Sequence, residues 1–89
     1  MNAKLSLPIG SIVVLKNNPK KVMVIGFLEL NNGIVYDYAG VFYPEGMVNK
    51  DNIVLFNESD IESILTNGYN DTLEKDFKNK LNNYIKNLN

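Results

Sequence analysis

The chain has 89 residues, 45% of them apolar, and a net charge of −1. This length supports one domain, so we expect residues 1–89 to divide into a lead-in (1–8), a β-barrel-like core (9–69) and a C-terminal helix (70–88). Cysteine and histidine are absent and all nine basic residues are lysine, which excludes disulfide bonds, catalysis by a thiolate or an imidazole, and base reading by an arginine fork.

The apolar segments are too short to cross a membrane. The longest, 22–28, contains Gly26, whereas a membrane-spanning helix needs roughly 20 apolar residues. The N-terminal segment MNAKLSLPIG lacks the apolar centre of a signal peptide. The sequence therefore predicts a cytoplasmic protein with no membrane insertion.

The first two strands are predicted from β-branched and apolar segments. These segments are Ser11–Lys16 and Lys21–Leu30, and the residues between them, 17–20, predict a turn that contains a proline. Both faces of the second segment are apolar, so we expect it to be covered on both sides. Gly26 in its middle predicts a bulge. The Asn-Gly pair of Asn31-Asn32-Gly33 then predicts a type I′ hairpin turn.

The third predicted strand, Ile34–Tyr43, carries an unusual number of aromatic residues. Alternation places Tyr36, Tyr38 and Phe42 on one face and Asp37 on the other. In so small a domain we expect these rings to fill the core, with their hydroxyl groups at its rim. We expect the Asp37 carboxylate to bind backbone N–H groups of a neighbouring turn.

The following segment contains turns, a strand and one ambiguous stretch. Pro44-Glu45-Gly46 predicts a tight turn that presents Tyr43. Ile53–Phe56 predicts a fourth strand, and Asn57–Ile61 predicts a capped helical turn. Residues 62–69 fit either a short helix or a closing strand, and we favour the strand.

The C-terminal segment predicts one amphipathic helix. Asp71 and Glu74 resemble a capping box at its start. Three acid–base pairs at i,i+4 support it: Asp71–Lys75, Glu74–Lys78 and Asp76–Lys80. The apolar stripe consists of Leu73, Phe77, Leu81, Tyr84, Ile85 and Leu88. We expect most of this stripe to cover the core, and its distal part, 81–88, to contact a partner or a second copy of the chain.

Together these elements predict a mainly β (α+β) fold. The expected architecture is a small coiled β-meander or half-open SH3-like barrel of about four to five strands with one C-terminal amphipathic helix.

The polar residues predict no catalytic, cofactor or metal site. The acidic residues at positions 37, 45, 51, 58, 60 and 62 have no spacing that pairs two of them for acid–base catalysis. Asp51 and Asp60 lack the alternating ligands of a calcium loop. We therefore expect no enzymatic activity. Lys16, Lys20 and Lys21 cluster at one hairpin end, so a barrel that binds single-stranded nucleic acid is an alternative. It is less favoured because the chain has a net negative charge.

Five segments occur in this order and at close spacing: LPIGSIVVLK, KKVMVIGF, YDYAGVFYPEG, IVLFN-x-SDI and NGY. Together they resemble a family of small bacterial proteins catalogued as domain of unknown function 4176. The resemblance extends from Leu7 to about Phe77. Members of that family are encoded in type VII secretion loci of Gram-positive bacteria, beside LXG-type toxins and small helical partner proteins.

The resemblance implies a cytoplasmic adaptor or chaperone-like accessory protein that binds an LXG-type toxin or its small helical partner before export. It implies no catalytic residues. The alternative is an immunity protein that neutralises a cognate toxin. We expect the partner-binding surface to combine the turn after the third strand with the exposed part of the helix, at Tyr43, Pro44, Glu45, Phe77, Leu81, Tyr84 and Leu88.

Overall fold

The computed structural model describes residues 4–88, so the first three residues of the predicted lead-in and the side chain of Leu88 lie outside the described part. The elements are β1 Ile12–Leu15, β2 Asn18–Asn31, β3 Ile34–Tyr43, β4 Ile53–Phe56, β5 Ile61–Thr66 and α1 Thr72–Leu88. The five strands are antiparallel and form one open sheet in the order β4-β3-β2-β1-β5. The prediction of a mainly β fold with one C-terminal helix is confirmed, and the sheet is not a closed barrel.

The first turn is tighter than predicted. Strand β2 already begins at Asn18, and Asn17 alone adopts a left-handed conformation (φ 63°). Pro19 lies inside β2 at the register shift opposite Val14 and Leu15, where the missing N–H of proline is tolerated. The second turn agrees with the type I′ prediction, because Asn32 (φ 53°) and Gly33 (φ 79°) both have positive φ angles.

The predicted bulge in β2 is present at Gly26. Val24 pairs with Gly40 and Gly26 pairs with Ala39, so Ile25 has no partner across the strand. The prediction that both faces of β2 are covered is wrong from the bulge onwards, since Ile25 in the bulge and Leu30 beyond it are exposed. The reason is that the β2–β3 hairpin extends past its neighbours, since β1 pairs with β2 only as far as Met23.

The ambiguous segment forms a strand. Ile61–Thr66 pairs with β1 and closes one edge of the sheet. Before it, Glu58–Asp60 forms the capped helical turn predicted for this region. The N–H of Asn57 donates to Asp60 Oδ2 over 2.8 Å, and the N–H of Asp60 donates to the carbonyl of Asn57 over 2.9 Å. A further 3-10 turn, Lys50–Asn52, precedes β4.

The core lies between the sheet, the lead-in segment and the helix. Its buried members are Leu5, Leu7, Val13, Leu15, Val22, Val24, Tyr38, Phe56 and Ile85. Both ends of the chain thus contribute to a core that the strands alone would leave open on one side.

The helix places a different face against the core than the apolar stripe predicts. Ile85 is buried and Leu81 packs against the core, but Leu73, Phe77 and Tyr84 are exposed. The face towards the sheet also contains Lys78 and Asn82, whose side chains bind backbone groups of the lead-in segment.

The start of the helix agrees with the predicted cap. Asp71 Oδ1 accepts the N–H of Glu74 over 3.0 Å. Of the three predicted acid–base pairs, only Glu74–Lys78 forms an ion pair among residues 4–88, at 2.7 Å.

Candidate protein-interaction surface

An open apolar groove of about 610 Å³ lies between strand β2 and the first turns of α1. Its lining residues are Ile9, Ile25, Gly26, Phe27, Tyr69, Leu73, Glu74 and Phe77. Glu74 is the one charged residue among them, and its carboxylate is bound by Lys78. The groove therefore presents apolar and aromatic side chains with little free charge.

The bulge in β2 shapes one wall of this groove. Because Ile25 is the extra residue of the bulge, its side chain is not covered by a residue of β3. Phe27 follows, and its ring lies 5.8 Å from the ring of Phe77 in α1, measured between centroids. This contact joins the two walls of the groove.

The other wall is formed by exposed residues of the helix. Leu73 is 79% exposed and Phe77 is 49% exposed, although both belong to the apolar stripe. Tyr69, just before the helix, is 82% exposed. Three large apolar side chains thus face solvent on the helix side of the groove.

The predicted turn surface is on the protein exterior, where its side chains contact lysines of β2. Tyr43, Pro44 and Glu45 are exposed, the Tyr43–Pro44 peptide bond is cis, and Gly46 has a φ of 72°. Lys20 forms an ion pair with Glu45, and this hydrogen-bonded partner lowers the pKa of the Glu45 carboxyl. Lys21 Nζ lies 6.0 Å from the centroid of the Tyr43 ring. The turn thus presents an aromatic ring and an already paired carboxylate.

The predicted helix residues do not form one surface. Phe77 lines the groove, whereas Tyr84, 59% exposed, is not among the lining residues. Leu81 packs against the core. The side chain of Leu88 lies outside the described residues.

The aromatic strand mainly supplies the core. Tyr38 is buried, its ring stacks on Phe56 with centroids 5.3 Å apart, and it lies 5.9 Å from Phe27. Burial and the hydrogen bond to Glu58 both raise the pKa of the Tyr38 hydroxyl. Tyr36 and Phe42 are half-buried.

Asp37 is buried on the opposite face of β3 and binds a turn, as its position in the sequence predicts. Its Oδ2 accepts the N–H of Glu58 over 2.9 Å, and its own N–H donates to Asn57 Oδ1 over 2.9 Å. Burial raises the pKa of the Asp37 carboxyl, and the hydrogen bond from Glu58 opposes this effect. These contacts attach β3 to the turn before β5.

No sequence pattern identifies Ile25, Phe27, Tyr69 or Leu73 as surface residues. Their apolar character and spacing are equally typical of core positions. The one usable signal is Gly26, since a bulge exposes a residue that regular alternation would bury.

Two further properties concern charge and membranes. Within residues 4–88, no group of three or more acidic residues is arranged to hold a metal ion. No helix in the same part of the chain combines the length and hydropathy needed to span a bilayer.

Comparison with known proteins identifies one family. The model of a family described as a domain of unknown function (DUF4176) matches residues 6–77. No match was found among curated proteins or among solved structures. The matched residues include every strand of the sheet, the turn at 43–46 and all eight residues that line the groove.

Proposed function

Because this chain belongs to the family described as a domain of unknown function (DUF4176), we propose that it has the role which the resemblance implies. It is a non-enzymatic interaction protein, a cytoplasmic accessory factor that binds an LXG-type toxin of type VII secretion, or the toxin's small helical partner, before export. The observation that carries the interaction role is the apolar groove between β2 and α1.

The groove supports protein binding through its chemistry. Soluble proteins rarely leave large contiguous apolar surface exposed unless it binds something. Aromatic side chains are enriched at the buried centre of protein interfaces. Phe77 has this character and Leu73 adds apolar area beside it, and both extend from a regular helix, which holds them in fixed positions.

The apolar lining of the groove supports a helical partner. Amphipathic helices bind apolar grooves through side chains spaced three or four residues apart. A partner helix places such side chains between Ile25 of the bulge and Phe77 of α1. The turn at Tyr43 and Glu45 provides a second, separate contact surface.

Affinity purification from the native host tests this proposal. The tagged wild-type chain is expected to retain the LXG protein encoded beside it, and deletion of the gene is expected to reduce export of that toxin. The variant Leu73→Glu/Phe77→Glu is expected to lose retention by about tenfold or more, because it places two charges in the groove. The matched control, Asn79→Glu/Asn83→Glu, adds the same charge at exposed positions of the same helix that do not line the groove.

Two results would contradict the proposal. If the wild-type chain retains no neighbouring protein and deletion leaves export unchanged, the accessory role is wrong. If expression of this chain alone protects a sensitive cell from the cognate toxin, the immunity function replaces it.

A further inference from the structure

The segment Leu5-Ser6-Leu7 is held by side chains from distant parts of the chain. Asn82 of α1 binds both backbone groups of Leu5: its Oδ1 accepts the Leu5 N–H over 2.9 Å, and its Nδ2 donates to the Leu5 carbonyl over 3.1 Å. A side-chain amide that pairs with a peptide unit in this way replaces the neighbouring strand of a sheet.

The rest of the segment is bound in the same manner. The Tyr38 hydroxyl accepts the N–H groups of Ser6 and Leu7 over 3.0 and 3.2 Å, and donates to Glu58. Glu58 Oε1 also accepts the Ser6 N–H and hydroxyl, each over 3.0 Å. Lys78 Nζ donates to the Leu7 carbonyl over 2.5 Å.

The side chains of the segment alternate between buried and exposed. Leu5 and Leu7 are each 1% exposed, whereas Ser6 between them faces solvent. Among the hydrogen bonds of the described residues, none joins the backbone of 5–7 to another backbone group. The segment is therefore bound as an extended peptide ligand is bound, with alternate side chains in apolar pockets and its backbone held by the surrounding protein.

We infer that Tyr38, Glu58, Lys78 and Asn82, together called the cradle, form a peptide-recognition site. The site takes an extended peptide with leucine-like residues two positions apart and a small polar residue between them. In this structure, the chain's own residues 5–7 fill it. A partner protein that presents a segment of this chemistry binds the cradle in exchange for residues 5–7.

The cradle is separate from the groove, although the two are adjacent. Lys78 Nζ lies 4.6 Å from the centroid of the Phe27 ring, which lines the groove. None of the four cradle residues lines the groove. The inference does not depend on the proposed function, because its test requires neither a toxin nor the secretion system.

The experiment uses the full-length chain and a fluorescent peptide of residues 4–10, KLSLPIG. The variant Leu5→Ser/Leu7→Ser removes the two apolar side chains that compete for the pockets. It is expected to bind the peptide at least about tenfold more tightly than the wild type, whose tethered segment has an effective concentration on the order of millimolar. Fluorescence anisotropy measures both affinities.

Two controls test the chemistry of recognition. Adding Asn82→Ala to the variant is expected to weaken peptide binding about tenfold, whereas adding Asn83→Ala, at the exposed neighbouring position, leaves it unchanged. A peptide with serine at both leucine positions is expected not to bind.

Circular dichroism first shows whether the Leu5→Ser/Leu7→Ser variant is folded, and this decides how peptide binding is measured. If the variant is folded, anisotropy is the readout. If it is unfolded, addition of KLSLPIG is expected to restore the helical signal. A folded variant that binds no peptide, or an unfolded one that the peptide does not restore, would overturn the inference and make residues 5–7 a fixed part of the core.

Discussion

Tyr38 connects the aromatic core to the lead-in segment through a single hydroxyl group. Its ring packs on Phe56, while the hydroxyl binds the N–H groups of Ser6 and Leu7. Tyr38→Phe keeps the ring but leaves the buried N–H of Leu7 without an acceptor, which costs about 1–3 kcal/mol. We expect the free energy of unfolding, measured in urea, to fall by that amount.

Tyr36→Phe is the matched control for this prediction. Tyr36 lies on the same face of β3 but is only half-buried. Loss of its hydroxyl is expected to change the free energy of unfolding by less than about 0.5 kcal/mol. Equal losses in the two variants would show that the Tyr38 hydroxyl does not hold the segment.

Asp37 stabilises the fold at low pH and loses this stabilising effect as the pH rises, the opposite of a typical carboxylate. Burial raises its pKa above the ordinary value of 3.8, so the protonated carboxyl stabilises the fold. That stability is present below about pH 3.8 and is lost as the pH rises through the folded pKa. Asp37→Asn cannot ionise and keeps an oxygen acceptor for the N–H of Glu58.

The free energy of unfolding of Asp37→Asn, relative to the wild type, is therefore expected to increase from about pH 3 to about pH 7. Urea denaturation at a series of pH values measures this difference. Asp76→Asn, at an exposed position of α1, controls for the loss of one charge. A relative stability of Asp37→Asn that falls with rising pH would mean that the ionised carboxylate stabilises the fold.

At the scale of elements, the sequence predicts those features of a strand or helix that are determined by residues close together along the chain. Strands β3 and β4 begin and end at the predicted residues, because alternation and turn residues act locally. The inward face of α1 was not predictable, since Lys78 and Asn82 are turned inwards by backbone groups of Leu7 and Leu5, 71 and 77 positions away along the chain. For the same reason the apolar pattern assigned Leu73 to the core and gave no indication of the groove.

The pairing of β2 with β3 requires glycine at one position and only tolerates it at another. A Cβ on Gly40 would lie 2.5 Å from Val22 Cγ1 and 2.8 Å from the Met23 carbonyl oxygen. Gly40→Ala is therefore expected to destabilise the protein by about 1–3 kcal/mol. A Cβ on Gly26 would meet only Ala39 Cβ at 3.7 Å.

Gly26→Ala serves as the control, with an expected change of less than about 1 kcal/mol. Thermal or urea denaturation of both variants checks the difference. If Gly26→Ala were the more damaging variant, the bulge rather than the strand contact would be the position that needs glycine.

At the scale of the whole molecule, the two ends of the chain complete a core that the sheet begins. The lead-in segment supplies Leu5 and Leu7, and the helix supplies Ile85. The same arrangement leaves the N-terminal half of α1 beside the β2 bulge, where the groove forms. A domain of this size has a small margin of stability, so the parts that lie outside this shared core should open first.

The tip of the β2–β3 hairpin is the clearest of these parts. Glu29 and Tyr36 pair with each other but lie beyond the residues where β1 and β4 pair with the hairpin. Val22 and Val24 are buried in the centre of the sheet, and the N–H of Val24 donates to the Ser11 carbonyl over 2.8 Å. Amides that open locally exchange with solvent before the protein unfolds as a whole. We expect the amides of Glu29 and Tyr36 to exchange at least about tenfold faster than those of Val22 and Val24, measured by hydrogen exchange with NMR detection. Equal protection at all four positions would mean that the hairpin tip opens only when the whole domain unfolds.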